Sequence, residues 1–335
     1  MIEESKRRLH DGEIRGLVAL KKSFSIKDCG LVLDFTSNRT TEDIIEWAIS
    51  TEKSGYGYVF RADHIFSRDN ESRDERPECW VILGAIAAST RKIKFGPLVT
   101  PIGFRNPALL ARMACTLHSY SAGRLILSVG AGWLEEEYKA HGMSFPGVKT
   151  RIKQLHEALQ IIRPLTQGKR VDFDGEFFSA HVEAFPKPFH GSIHMIGGGS
   201  SPQVIRTLIG YVDEWNLFYS PLDKYLKLKA MFSQEDSDSL KMSDSYMAPF
   251  ILAESDEELQ KKIKWYGSFA GIGGSIENIR SVINSRGIFC GKVEDFVQQV
   301  NDRRCAGVEK LYFQVLNSDD METKNLLTET LKKEF

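Results

Sequence analysis

From residue 31 onward the chain alternates short apolar or β-branched runs with stretches of helical periodicity, and eight such repeats in succession leave few folds open. The runs that predict strands are LVLDF (31–35), YGYVFRA (56–62), KIKFGPLV (92–99), RLILSVG (124–130), IHMIG (193–197), DEWNLF (213–218), MAPFILA (247–253) and EKLYFQVL (309–316). Between them lie helical stretches such as TTEDIIEWAISTEKSG (40–55), where Thr40 or Thr41 caps the start and Gly55 ends it. Others are ECWVILGAIAAS (78–89), NPALLARMACTLHS (106–119), RIKQLHEALQIIRPL (151–165) and KVEDFVQQVNDRRCAG (292–307). Eight strand–helix units in 335 residues predict an α/β fold, a closed (β/α)8 TIM barrel with insertions, formed as one domain over 31–335 behind an N-terminal extension, 1–30. An open doubly wound sheet is the alternative.

Two further segments stand outside the bare barrel. VDFDGEFFSA (171–180) predicts a hairpin turning at Asp174-Gly175, and the polar SQEDSDSLKMSDSY (233–246) predicts an irregular excursion. Lys and Arg number 44 against 45 Asp and Glu, so no global field draws the chain to nucleic acid or an anionic membrane. The longest apolar run, CWVILGAIAAS (79–89), is about half of what a membrane span requires. The opening MIEESKRRLHDGEIRG mixes acids with bases and lacks the apolar region of a signal peptide. The five cysteines are odd in number and without a C-x-x-C pair, which fits a reducing compartment better than a disulfide framework or a structural zinc site. Together these features predict a soluble cytoplasmic protein.

The stretch HMIGGGSSPQV (194–204) reads as a strand, a glycine turn, a cap at Ser200 or Ser201, and Pro202 at the first helical position. A helix start behind glycines is suited to an anion such as phosphate, and it serves equally as a tight strand-to-helix turn. It lacks both the GxGxxG spacing of a dinucleotide site and the lysine of a P-loop. In a barrel the chemistry gathers at the carboxyl ends of the strands. Strand two ends in Asp63-His64, an imidazole beside a carboxylate, readable as a proton-transfer group or as a surface histidine. Strand three leads into Thr100, a neutral hydrogen-bonding group, and Arg105, which serves an anion or the structure. Strand four ends in Gly130-Ala131-Gly132-Trp133, small residues that leave space for a flat ring, and Glu135, Glu136 and Glu137 then read as the acidic first turn of an ordinary helix. No strand end carries a Schiff-base lysine, no His and acid cluster has metal-ligand spacing, and no G-x-S-x-G elbow occurs.

The run GRLILSVGAGWLEEEYKAHGMSFPGVKTRIKQLHEALQIIRPL (123–165) closely resembles the bacterial luciferase-like flavin monooxygenase superfamily. So do IGGGSSPQVIRTLIGYVDEWN (196–216), ADH (62–64), VTPIGFRNPALLARMACTLHSYSAGR (99–124) and FCGKVEDFVQQVNDRRCAGVEKLYFQVL (289–316). Within it the chain looks like the deazaflavin (coenzyme F-420)-dependent oxidoreductases, over about residues 30–316. The resemblance implies a (β/α)8 barrel, usually a homodimer pairing through helices near strands two and three, with FMN or the deazaflavin in its mouth. Gly198, Gly199 and Ser200 match the family's phosphate-contacting turn, and Asp63 with His64 match the position of a histidine near the reactive ring. Thr100 matches a polar contact to the ring; Gly130, Ala131, Gly132 and Trp133 match the loop beside the cofactor, with Tyr138 close behind. A non-prolyl cis peptide is implied at Pro97-Leu98 or Leu98-Val99. Trp133 stands where some sugar-phosphate dehydrogenases of the family carry Glu, so their substrate scheme does not carry over.

The function this implies is hydride transfer between coenzyme F-420 and a small organic substrate, with His64, steered by Asp63, moving a proton. The alternative is an FMN-dependent monooxygenase supplied by a flavin reductase, and a flavin-binding protein without turnover stands further off.

Overall fold

The computed structural model describes residues 24–34, 40–65, 77–235, 242–317 and 320–335. All eight predicted strands form. β1 (Cys29–Leu33), β2 (Tyr58–Arg61) and the short β3 (Lys94–Pro97) and β4 (Thr100–Pro101) come first, then β5 (Leu127–Gly130). The predicted hairpin follows as β6 (Val171–Asp174) and β7 (Ser179–Val182), antiparallel with Asp174 opposite Ser179. β8 (Met195–Gly198), β9 (Glu214–Phe218), β10 (Ser243–Ala253), β11 (Phe289–Lys292) and β12 (Lys310–Val315) complete the set.

The parallel order β3-β2-β1-β12-β10-β9-β8-β5-β4 runs around a barrel. β3 and β4 are two halves of one stave, interrupted at the cis peptide Leu98–Val99. Closure lies between β3 and β5, where the Ile126 N–H donates to the Phe95 carbonyl at 2.8 Å. Gly96 permits that approach: a Cβ there would stand 2.1 Å from the Ile126 carbonyl oxygen. β11, absent from the sequence expectation, adds in parallel to the outer half of β10.

Alternation along the strands separates two cores, as the two-residue period of a strand requires. Outward residues such as Leu31, Val59, Phe95, Leu127, Trp215 and Phe313 pack under the helices. Inward residues Val32, Tyr58, Phe60, Ile126, Ile196, Met247 and Tyr312 fill the barrel. The surrounding helices are α1 (Thr41–Ser54), α2 (Cys79–Ser89), α3 (Pro107–Tyr120), α4 (Glu135–Ala140), α5 (Val148–Thr166) and α6 (Pro202–Leu208). α7 (Leu222–Glu235), α8 (Asp256–Phe269), α9 (Ile276–Ser285), α10 (Val293–Cys305) and α11 (Met321–Glu334) follow. α1 starts at a capping box in which Thr40 and Asp43 exchange hydrogen bonds, and ends at Gly55 with φ of 95°.

Two expectations are corrected. The polar excursion at 233–246 is strand from Ser243 and helix up to Glu235, and residues 236–241 lie outside the described residues. The sequence misleads at Ser243–Tyr246 because polar residues here have partners: Asp244 accepts from the Tyr225 hydroxyl at 2.8 Å, and Ser245 accepts from Asn216 at 2.9 Å inside the barrel. The N-terminal extension also ends earlier, since Cys29 and Gly30 already belong to β1; Phe24 packs edge-on against Phe335, and residues 1–23 lie outside the described residues.

Candidate active site

The carboxyl ends of the staves bring together His64 after β2, Val99 before β4, Gly130 of β5 with α4 behind it, and Gly198 of β8. At the centre, His64 Nδ1 meets Glu137 Oε1 at 2.5 Å, and the second oxygen of Glu137 accepts the Ile65 N–H at 3.3 Å. Glu137 is 1% exposed, so its carboxylate is shut away from water with these partners. A carboxylate only accepts, so Nδ1 carries the proton of this contact. The His64 ring stands edge-on to Trp133 at 5.9 Å, and Trp133 is 52% exposed, forming an outer wall.

This geometry corrects the role given to Asp63. Its carboxylate turns away from His64, accepting from the Thr100 hydroxyl at 2.8 Å and from Arg105 at 2.7 and 3.3 Å. Burial pushes the Asp63 carboxyl up, opposed by the Arg105 guanidinium, while Asp63 and Glu78 hold Arg105 above its ordinary value against its own burial. Thr100 is fully buried, with its oxygen also accepting from Trp80 Nε1 at 3.1 Å, so its hydroxyl braces Asp63 from behind the mouth. Arg105 is structural: it ties Asp63 to Glu78 beneath the β4–α3 turn.

Gly130 and Gly198 face each other across Val99, the residue after the cis bond; a Cβ on either would approach a Val99 methyl to 2.8 Å. The space left by the glycines is thus partly taken by one isopropyl group, and the result is a low apolar floor between the ends of β5 and β8. Gly132 has φ of 77° and lies over the Tyr138 phenol, which would come within 2.3 Å of a Cβ there. Ala131 joins the two glycines and packs against the outer core. Tyr138 is buried between Phe104 and Phe145, at ring distances of 4.8 and 4.9 Å. Its hydroxyl has no hydrogen-bond partner among the described residues, and burial pushes it up to about 12.

In the glycine turn, Ser201 is the cap of α6, accepting from the Val204 N–H at 3.3 Å, with Pro202 first in the helix. Gly199 is held from both sides, its carbonyl accepting from Trp215 Nε1 at 2.8 Å while a Cβ would meet Val204 at 2.5 Å. Ser200 is half-buried beside the cap.

Between the ends of β1 and β9 lies a chain of contacts that no local pattern announces. Gln314 of β12 donates through its amide nitrogen to Asp34 at 2.7 Å, and its amide oxygen accepts from the Tyr219 hydroxyl at 2.5 Å. Asp34 follows β1 and Tyr219 follows β9, so the chain spans three staves.

A parallel barrel with a buried acid–imidazole pair and a low apolar floor at its carboxyl end defines an α/β-barrel enzyme site of the kind that holds a flat cofactor. The chain belongs to the luciferase-like monooxygenase family, which matches residues 31–303. It is 31% identical over 137 residues to an F420-dependent glucose-6-phosphate dehydrogenase of Amycolatopsis mediterranei, 41% of each chain. It is 34% identical over 156 residues to a 5,10-methylenetetrahydromethanopterin reductase of Archaeoglobus fulgidus, covering 46% of this chain and 42% of that one. The match therefore spans less than half the length of these relatives. A solved F420-dependent secondary alcohol dehydrogenase, in complex with an F420-acetone adduct, shares the fold with a TM-score of 0.72 at 20% identity, over 92% of this chain and 97% of that one.

Proposed function

We propose that this chain is an oxidoreductase that moves a hydride between coenzyme F-420 and a small organic substrate. The observation that carries the reading is the buried His64–Glu137 pair beside the floor of Val99, Gly130 and Gly198. The names of the matched relatives, an F420-dependent glucose-6-phosphate dehydrogenase and a 5,10-methylenetetrahydromethanopterin reductase, support it. When bound, the deazaflavin supplies or takes the hydride. His64 exchanges the accompanying proton at Nε2, while Glu137 fixes the tautomer and favours the imidazolium when it forms. Val99 gives the ring an apolar rest and Trp133 excludes water from one side. Ser200 and the first turn of α6 receive the phosphate, with Gly198 and Gly199 forming the tight turn that leads to it. The outward, exposed Val81, Leu109 and Tyr120 of α2 and α3 supply an apolar face for a homodimer, and the free cysteines suit a cytoplasmic setting.

Protein made in a host that lacks the deazaflavin, titrated with deazaflavin and with FMN, tests the reading by fluorescence quenching. Tight deazaflavin and weak FMN binding is the expected result. The family match supports one other reading, reduced FMN and oxygen with a partner reductase. Protein that emerges yellow with FMN and consumes oxygen in turnover selects that one. Ser200→Asp places a charge against the phosphate and is expected to weaken deazaflavin binding at least about tenfold. Unchanged affinity in this variant rejects the phosphate turn. Gly199 is the poorer position for such a charge, because its Cβ clash with Val204 disturbs the fold itself.

A further inference from the structure

Helix α11 carries a lysine on its buried face. Lys324, Leu327, Thr328 and Leu331 recur at helical spacing and all are buried, Lys324 with 1% exposure, so a lysine stands where the periodicity asks for an apolar residue. Its amine reaches across to α1, where it donates to Ser50 Oγ and lies 4.7 Å from the centre of the Trp47 ring. Among the described residues no carboxylate pairs with it, and burial alone brings it from an ordinary 10.5 down to about 8. Roughly one molecule in ten therefore carries the unprotonated amine at pH 7, against fewer than about one in a thousand for an exposed lysine.

Lys324 also lines a cleft between α1, α8, α11 and the carboxyl halves of β10 and β12. The charged groups of its lining are Lys262, Asp320 and Lys324, set among neutral polar groups and apolar walls that include Phe250, Ile251 and Trp265. Lys262 is already engaged: it pairs with Glu258 at 2.5 Å, stands 3.7 Å from Asp320, and donates to the Leu252 carbonyl at 2.9 Å and to the Thr323 hydroxyl. Lys324 has no such acid, which leaves it as the nucleophile of the lining. The cleft holds about 90 Å³, short of the roughly 150 Å³ that encloses a benzene ring, so its size suits a body of a few carbons.

We propose that Lys324 is a reversible covalent site for a small aliphatic aldehyde, which sits in this cleft with its chain against the apolar walls. The ammonium first gives one proton to solvent. The neutral nitrogen then adds to the carbonyl carbon, its second proton passes to the carbonyl oxygen, and loss of that oxygen as water, with the last nitrogen proton, leaves a neutral C=N bond. No oxidant or reductant is consumed. A neutral imine suits a buried place without an acid, whereas a bound anion would depend on a charge that burial here disfavours. The site lies among helices outside the barrel mouth and is independent of the cofactor held there.

The test treats the full chain at neutral pH with butanal and cyanoborohydride, which reduces the imine to a stable butyl-lysine that peptide mass spectrometry locates. Initial labelling of Lys324 is expected to exceed that of the exposed Lys332 and Lys333 by at least about tenfold. Lys324→Met is expected to remove the fast label and leave Lys332 and Lys333 labelled as before. Ser50→Asp sets a carboxylate where the amine now meets a hydroxyl; it is expected to hold the ammonium and slow Lys324 to the pace of the exposed lysines. Labelling of Lys324 no faster than Lys332 and Lys333 in the wild type overturns the proposal. So does labelling that stays equally fast in Ser50→Asp, because the missing acid would then not be the source of the reactivity.

Discussion

Replacing Glu137 with glutamine is expected to lower turnover about a thousandfold while deazaflavin affinity stays within about twofold. The magnitude follows from the second contact of Glu137. One carboxylate oxygen accepts the Ile65 N–H at 3.3 Å, and in the glutamine variant only the amide oxygen can stay there. The amide nitrogen then faces His64 Nδ1, where it donates. Nδ1 must become the acceptor, the ring proton moves to Nε2, and the lone pair at the reacting side is lost. The shape of the site is kept and its proton chemistry is inverted. His64→Ala is expected to cost as much, and the double variant little more, because the two residues act as one unit. The check is kcat in single-turnover experiments beside cofactor affinity by quenching. Turnover within a few-fold of wild type in Glu137→Gln removes the pair from the mechanism.

That pair also shows what a linear reading can and cannot see. His64 is legible because it ends a strand of a recognisable barrel, and so are Gly130, Gly198 and Ser200, each at a strand-to-helix junction. Glu137 is hidden by its own neighbours: three consecutive acids in a first helical turn are accounted for by the helix dipole, and nothing local singles out the one that is buried. Its partner lies 73 residues away. Asp63 misleads for the complementary reason, since adjacency to His64 in sequence suggests a contact, whereas successive side chains at a strand end point apart and Asp63 turns to Arg105. Asp34, Tyr219 and Gln314 are separated by up to 280 residues and meet only because the barrel closes. The strands themselves were legible because both faces of a parallel stave are covered, giving continuous apolar runs. β11 escaped because Phe289–Lys292 is four residues long and runs directly into the α10 pattern.

At the opposite end of the barrel a second buried charge cluster carries stability, and it predicts how the fold responds to acid. Glu214, the first residue of β9, is fully buried under the barrel interior. It accepts from the Tyr312 hydroxyl at 2.7 Å and pairs with His194 Nε2 at 3.0 Å and with the Lys310 ammonium. Burial alone would raise this carboxyl. The hydrogen bond from His194 and the charge of Lys310 outweigh it and bring it from an ordinary 4.5 down to about 2. A carboxyl depressed in the folded state contributes stability above its unfolded value, and that contribution drains as pH falls from about 4.5 toward about 2. The displacement corresponds to about 3 kcal/mol. Glu214→Gln leaves Lys310 buried without its carboxylate and is expected to destabilise the chain by about 3–5 kcal/mol at pH 7. The difference between wild type and variant, taken from urea unfolding at a series of pH values, isolates this residue from the other titrating groups. It should shrink steadily as pH falls below 4.5, since protonating Glu214 in the wild type removes the charge that the substitution removes outright. A difference below about 1 kcal/mol at pH 7, or one that does not change with acid, would mean that the floor of the barrel is held by its apolar layer of Tyr58, Phe60 and Tyr312 and not by this ion cluster.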